Sequence, residues 1–327
     1  MREKYLHNGA SIPSIGLGTW QIPISGVVRA VDSAIDCGYR HIDCAFECEN
    51  EVHIGAALKR HFEEKGLRRQ QIFITSKLWS TFHQKDRVIE NCIRSLHALN
   101  LEYLDLYLIN WPVSLKPGIE VFPLLPSGEP DYDSPRLEDT WTAMEQLVRS
   151  GLVRSIGLAN FNKKQILRIL ECCDIPPAVL QVESHPYFLN EEIIKFARGS
   201  GMQVTAYAAI GSSYLEAKDK GVMHILDDPV VSAIAKVHGK TAAQVLIRFA
   251  LQRNLIVIPK SFNPERIKEN IEVFDFELSF DEMERLYALN RDERIIDPMG
   301  LVVADSKERY YTDSTRGSDR VRTATEM

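Results

Sequence analysis

Three polar residues close apolar runs in the first third of the chain. Asp43 ends the run His41–Asp43, Lys77 ends Ile72–Lys77, and Asn110 follows Leu104–Ile109. An aspartate and a lysine on neighbouring strands can form a buried pair, which fixes the ammonium in place and shifts the pKa of an acid nearby. That is equipment for acid–base chemistry, and Asn110 adds an amide donor beside it. An ion pair that only stabilises the rim of a sheet would use the same residues at the same spacing. Spacing alone leaves both readings open.

The elements that must position these side chains are short apolar runs alternating with amphipathic stretches. The pattern predicts strands at Ile15–Leu17, His41–Asp43, Ile72–Lys77, Leu104–Ile109, Ser155–Ala159, Val179–Glu183, Gln203–Tyr207 and Ile256–Pro259. Helices are predicted near 27–37, 51–65, 86–98, 137–150, 162–173, 190–199, 241–253 and 264–273, with apolar residues at three- and four-residue spacing. Trp141, Met144, Leu147 and Val148 show that spacing in the fourth helix. Asn162 and Asn263-Pro264 read as helix starts. Eight strands alternating with eight helices predict an α/β fold, a (β/α)8 barrel, whose chemistry lies at the C-terminal strand ends. One barrel domain spanning 1–327 is expected. Lys4 to Pro13, turning at Asn8-Gly9, reads as a hairpin that would plug the bottom. Two stretches break the rhythm: 112–135, and the segment 291–327 after an extra helix near Phe280–Asn290. Long loops of this kind are usually functional or disordered. Roughly 316–327 is a polar tail expected to fray.

Composition narrows the functions. A net charge of −6, with bases interleaved among acids, argues against nucleic acid or an anionic membrane as the main partner. No apolar run approaches the roughly 20 residues that span a bilayer. The six cysteines, at 37, 44, 48, 92, 172 and 173, lack zinc-site spacing, and the vicinal pair Cys172-Cys173 is a poor disulfide. A cysteine-sparse chain with no cationic-then-apolar leader is expected to be reduced and cytoplasmic, without a bound metal.

Several motifs occur in order along the whole chain: Gly16-Leu17-Gly18-Thr19-Trp20, His41-Ile42-Asp43-Cys44-Ala45 with Asn50-Glu51, Thr75-Ser76-Lys77-Leu78-Trp79, and Leu101 to Tyr107. Gly157, Asn160-Phe161, Gln181, Glu183, His185-Pro186-Tyr187, and Lys260-Ser261 through Glu269-Asn270 continue the series. Together they resemble the aldo-keto reductases, in particular the aldehyde and aldose reductase branch. The resemblance implies a nicotinamide-dependent carbonyl reductase with a catalytic Asp, Tyr, Lys and His. Asp43 and Lys77 match that set. Cys48 stands in the tyrosine position and Asn110 in the histidine position, and no tyrosine lies between Asp43 and Lys77.

A thiol is a weak donor on a much shorter side chain than a phenol, and Asn110 keeps a donor amide but loses the reach of histidine. Losing a general acid typically costs about 10²–10⁴-fold and losing an oriented donor about 10²–10³-fold, without the factors multiplying. The resemblance assigns Lys260, Ser261 and Arg266 to the 2′-phosphate of NADP(H), and Glu269 and Asn270 to the adenine. It assigns Asn160 and Gln181 to the nicotinamide amide, Tyr207 to the ring beneath it, and Thr19 and Trp20 to the same cofactor site. Ala159, Leu180 and Ala208-Ala209 depart from the usual pattern. Trp20, Trp79, Trp111 and Phe122 match an aromatic pocket wall suited to a carbonyl compound or other apolar ligand, with Trp111 best placed to face it. A monomer is expected. Three readings follow: an NADP(H)-binding protein with weak or absent carbonyl reduction; a working reductase in which Lys77 or water donates the proton; and capture of aldehydes by a Cys48 thiol of lowered pKa.

Overall fold

The computed structural model describes residues 2–211 and 223–296. The hairpin comes first: β1 (Glu3–Tyr5) pairs antiparallel with β2 (Ser11–Pro13). Eight parallel strands then form one sheet, in the order β3 (Leu17–Gly18), β4 (His41–Asp43), β5 (Phe73–Leu78), β6 (Leu106–Ile109), β9 (Ile156–Ala159), β10 (Val179–Glu183), β11 (Gln203–Tyr207) and β12 (Ile256–Val257). Bridges from Ile15 to Val257 and from Gly18 to Lys260 join the last strand to the first. A Cβ on Gly18 would lie 2.6 Å from the Ile258 carbonyl oxygen, so the missing side chain is what lets the ring close there. The barrel expected from the alternation is the fold observed.

The hairpin fills the N-terminal end of the barrel. Leu6 and Ile12 pack in one cluster with Phe73, Leu106, Val179 and Ile256, which begin or nearly begin their strands. Asn8 Nδ2 donates to Ser155 Oγ at 2.9 Å, tying the turn to the approach of β9. Seven helices at the expected places between residues 24 and 252 surround the strands with the helix Pro264–Ile271, and Phe280–Tyr287 follows as the extra one. Caps explain their starts. Asn162 Oδ1 accepts from Gln165 N while Gln165 returns the bond, and Asn263 Oδ1 accepts from Glu265 N and Arg266 N.

Three features depart from the expectation. The strand expected at Ile256–Pro259 spans Ile256–Val257, and Leu104 makes a single bridge to Val153 rather than opening β6. The stretch 112–135 is not wholly irregular: β7 (Ser114–Leu115) and β8 (Tyr132–Asp133) form a short antiparallel ladder. A helix at Pro229–His238 was not anticipated, because Val230, Val231 and Ile234 are indifferent helix formers. Its punctuation was nonetheless present, with Asp228 as cap, Pro229 in the first turn and Gly239 in the left-handed conformation at its end. Residues 291–296 carry no helix or strand, and the expected long C-terminal segment beyond them, with its polar tail, lies outside the described residues. No helix among the described residues is long and apolar enough to cross a membrane.

Candidate active site

The parallel strands deliver their ends to one place. Asp43 is the last residue of β4, Lys77 the penultimate residue of β5, and Asn110 follows β6 with its N–H on the Leu78 carbonyl at 3.1 Å. Lys77 Nζ donates to Asp43 Oδ1 and, at 2.8 Å, to the Cys44 carbonyl. From across the barrel, Gln181 Nε2 donates to Asp43 Oδ2 at 2.8 Å. Asp43 and Lys77 are each only 5% exposed, so this is the buried pair expected from the sequence. Burial alone would depress the Lys77 ammonium. Asp43, and after it Glu47, more than reverse that and hold its pKa above the ordinary value.

A second set of bonds links the later strands to the same spot. Asn160 Nδ2 donates to the Asn110 carbonyl at 2.9 Å, and the Tyr207 hydroxyl donates to Asn160 Oδ1 at 2.7 Å. Asn160 adopts a left-handed backbone, φ 64°, which asparagine tolerates better than most residues. Ala208 adopts one as well, at φ 51°, without that tolerance. Thr19 Oγ1 donates to the Asp43 carbonyl at 2.8 Å and Asn50 Nδ2 to the Thr19 carbonyl at 2.9 Å, fixing the first strand end to the second.

These groups face a cavity of about 730 Å³, a volume typical of a small-molecule or cofactor site. Asp43, Cys48, Lys77 and Asn110 line it, as do Thr19, Asn160, Gln181 and Tyr207. So do Lys260, Ser261, Arg266, Glu269 and Asn270, carried by the turn after β12 and the helix Pro264–Ile271. Trp20, Trp79, Trp111 and Phe122 complete the wall, so the catalytic, cofactor and pocket residues expected from the sequence all line one cavity, whereas Ala159 and Leu180 do not. Trp79 is locked by its indole N–H on the Val121 carbonyl at 2.6 Å and by an edge-on contact with Phe122, ring centroids 5.0 Å apart. Trp111 is buried and Trp20 exposed, so Trp20 is the more open of the two.

The sequence reading overlooked parts of the wall. Gly211, His224 and Asp227 also line the cavity, from a stretch in which no element had been recognised, and Thr241 lines it from the start of the helix expected near 241–253. The more consequential omission is Glu47, on the single 3-10 turn Phe46–Cys48 that follows β4. It was legible only as an unexplained carboxylate between the two strand-end residues Asp43 and Lys77. Burial raises its pKa, and Lys77 and then the neighbouring Asn110 amide pull it partly back. The Asn110 amide faces the Glu47 carboxyl, and Asn110 Nδ2 and Glu47 Oε2 are both buried with no partner beyond each other.

Cys48 does not match the thiolate expectation. Burial, followed by the Glu47 charge, holds the thiol well above its ordinary pKa, and Lys77 only opposes this in part. The sequence reading foresaw the lysine but neither the depth of the turn nor the adjacent carboxylate. A neutral thiol is a poor nucleophile for aldehydes.

Glu51, at the start of the helix Glu51–Glu64, shares the same buried surroundings and accepts from Ser76 Oγ at 2.6 Å. Burial raises its pKa to about 7, against the opposing hydrogen bond from Ser76. Because the folded value exceeds the unfolded one of 4.5, its contribution to stability is complete below 4.5 and lost as pH rises through 7. His41 and His83, both lowered to about 4 by burial, act in the opposite sense as pH falls from 6.5 towards 4. The difference between wild type and Glu51→Gln isolates the carboxyl. Urea unfolding at a series of pH values should show the variant gaining on wild type by roughly 2–3 kcal/mol between about pH 4.5 and 7. A constant difference across that range would mean that Glu51 does not titrate there.

Comparison with known proteins settles the ancestry. Residues 14–291 match the model of the aldo/keto reductase family. The chain belongs to that family. Aldo-keto reductase family 1 member A1-A from Danio rerio is 49% identical over 294 residues, covering 90% of this chain and 91% of its own length. Aldo-keto reductase family 1 member A1 from Homo sapiens is 46% identical over 295 residues, with the same coverage of each chain. Among solved structures, the aldose reductase from Schistosoma japonicum superposes with a TM-score of 0.84 at 48% identity, covering 90% of this chain and 94% of that one. The chain is thus an aldo/keto reductase of the aldehyde and aldose reductase branch. Glu47, Cys48 and Asn110 must be understood from their own geometry.

Proposed function

We propose that this aldo/keto reductase binds NADP(H) in the strand-end cavity and reduces small carbonyl compounds weakly or not at all. The observation that carries this reading is the Asp43–Lys77 pair standing intact in a cavity where, among the described residues, no phenol lies beside it. Among the described residues lining that cavity, the one phenol is Tyr207, whose hydroxyl is given to Asn160.

The residues present fit the cofactor. Lys260 and Arg266 bring two cations and Ser261 a hydroxyl to the start of a helix, a donor set suited to a phosphate monoester. The first-turn amides of Glu265 and Arg266 are already taken by the Asn263 cap, so the side chains would supply most of the phosphate contacts. Glu269 and Asn270 would meet the adenine, Thr19 and Trp20 border the same site, and Asn160 and Gln181 would meet the carboxamide over the Tyr207 ring. Bound there, the reduced nicotinamide supplies hydride to a carbonyl carbon. Ala159 and Ala208 offer no hydroxyl, which weakens the hold on this end of the site, and of the two only Ala208 lines the cavity.

A working reductase with Lys77 as direct proton donor is less well supported, because Asp43 holds the ammonium proton more tightly than an ordinary lysine holds it. The thiol reading fails for the reason given above. Six free cysteines among the described residues suit a reducing compartment, and we place the protein in the cytoplasm.

Fluorescence titration should give a dissociation constant for NADPH about tenfold or more below that for NADH, since the 2′-phosphate adds charged hydrogen bonds. Lys260→Ala should erase most of that preference while leaving NADH binding alone. Equal constants for the two cofactors in wild type would remove the assignment. Steady-state reduction of simple aldehydes near neutral pH should fall far below the typical ~1–10³ per second of enzymes.

A further inference from the structure

None of Glu183, His185 and Tyr187 lines the cavity, yet the bonds these residues make lead to it. Glu183 is the last residue of β10 and lies two residues beyond Gln181, so both side chains leave the strand on the same face. Gln181 reaches Asp43, and Glu183 stands one step nearer the C-terminal end of the strand, where a barrel keeps its chemistry. There its carboxylate, fully buried, accepts from Ile295 N at 2.6 Å, from Ile296 N at 3.0 Å and from His185 Nε2 at 2.9 Å. Tyr187 grips the same stretch slightly earlier. Its carbonyl accepts from Arg291 N and Glu293 N, both at 3.1 Å, and the Arg291 guanidinium lies over its ring, 4.0 Å from the centroid.

Residues 291–296 have no helix or strand of their own to hold them. Of this segment, Ile296 alone lines the cavity, on the same wall as Trp20, Trp111 and Phe122. Filling the end of the barrel needs only apolar side chains. A buried carboxylate is costly unless hydrogen bonds occupy its lone pairs, and here two successive backbone amides occupy them. An acceptor with two oxygens fixes both amides at once, and with them the direction in which the Ile296 side chain leaves the backbone. We propose that Glu183 is a positioning residue for the ligand pocket: it holds Ile296 on the cavity wall and thereby sets how tightly the cavity takes an aromatic carbonyl compound. The proposal rests on the reading that the cavity takes a nicotinamide dinucleotide together with a carbonyl compound.

The effect on a ligand follows from the range of the contact. Attraction between a wall carbon and a ring is greatest at roughly 3.5–4.0 Å and falls steeply beyond, so a small drift of Ile296 loosens the ligand before it loosens the barrel. Glutamine in place of Glu183 keeps one carbonyl oxygen and turns the other acceptor into a donor, which faces an amide N–H. One of the two amides then loses its partner while the shape of the side chain is kept. The dinucleotide should be indifferent to the change, because Lys260, Ser261, Arg266, Asn160 and Gln181 are carried by other strand ends or by the inner part of β10.

Two measurements on the whole chain test this. Amide exchange read by mass spectrometry on cofactor-free protein should show the peptide with Ile295 and Ile296 exchanging about tenfold or more faster in Glu183→Gln, with strand Gln203–Tyr207 unchanged. Titration of 2-naphthaldehyde into NADP+-loaded protein, followed by tryptophan fluorescence, should give a dissociation constant about tenfold higher in Glu183→Gln, whereas NADP+ binds as in wild type. Ile296→Ala, which keeps the carboxylate and removes the group it positions, should weaken the aldehyde by about fivefold or more. The double variant should lose no more than the larger single loss, since Glu183 acts through Ile296. Additive losses, or unchanged exchange at Ile295 and Ile296, overturn the proposal. Should Glu183→Gln fail to fold, Ile296→Ala still decides, because an unchanged aldehyde affinity there removes the group through which Glu183 acts. Wild type that binds NADP+ but no aldehyde overturns the proposal and leaves the cofactor reading standing. If wild type binds no NADP+, the cofactor reading falls, and the exchange and aldehyde titrations on cofactor-free protein decide the positioning role by themselves.

Discussion

Replacing Cys48 by tyrosine and Asn110 by histidine together should raise aldehyde reduction at neutral pH by about 10²–10⁴-fold, the usual contribution of a well-placed general acid. The reason lies in what is already built. Lys77 is charged, buried and held by Asp43 on one side and the Cys44 carbonyl on the other, so an introduced phenol would meet a fixed ammonium able to acidify it. Neither single change should deliver the full gain, because donor and orienter act as a unit. Glu47 sets the scale within that range. Its carboxyl lies beside both Lys77 and Asn110, so an introduced imidazole gains a competing partner and the phenol a competing charge. Adding Glu47→Leu to the double change should therefore raise the rate further. Single-turnover rates at saturating NADPH measure this directly. A double variant that binds NADPH normally and shows no gain would mean that the cavity or the nicotinamide pose has diverged, with Ala159 and Ala208 the first suspects.

The barrel and the strand-end residues were legible in the sequence for one physical reason. Parallel strands of a closed sheet all end at the same rim, so polar residues closing successive apolar runs must meet, as Asp43, Lys77 and Asn110 do. Strands His41–Asp43, Val179–Glu183 and Gln203–Tyr207 match residue for residue because each is a compact apolar run ending in a polar side chain. The helix Pro229–His238 was missed because its β-branched residues hide helical periodicity, although Asp228-Pro229 and Gly239 mark its ends. Glu47 was missed for a different reason. It sits on a single irregular turn, where neither two- nor four-residue periodicity says which way a side chain points. Cys48 drew attention through its place in the motif, and only the packed turn reveals that its thiol is kept neutral and that the glutamate next to it lines the cavity. Positions on regular elements could be read from spacing, and those on the connecting turns could not.

Asp43→Ala should destabilise the protein by about 3–5 kcal/mol, the cost of leaving a buried charge without its partner. Lys77 would keep only the Cys44 carbonyl as a direct acceptor, and the Gln181 amide would lose its acceptor as well. Glu47 lies close enough to stabilise the orphaned ammonium in part, which puts the expected cost at the lower end of that range. Changing both partners to apolar residues, Asp43→Leu with Lys77→Met, removes both charges and should recover much of the loss. The sign of the pH dependence is fixed by the lysine. Its folded pKa lies above the unfolded value of 10.5, so the pair's contribution is complete below 10.5 and is lost only as pH rises through the higher folded value. Without Asp43, burial depresses the orphaned ammonium, so the cost of Asp43→Ala should shrink as pH rises towards 10.5. Urea unfolding of wild type, both single variants and the double variant, all free of cofactor, completes the cycle. A cost below about 1 kcal/mol for Asp43→Ala would show that the pair is not needed to hold the barrel together. Its presence beside Cys48 and Asn110 would then be explained by chemistry at the cavity rather than by stability.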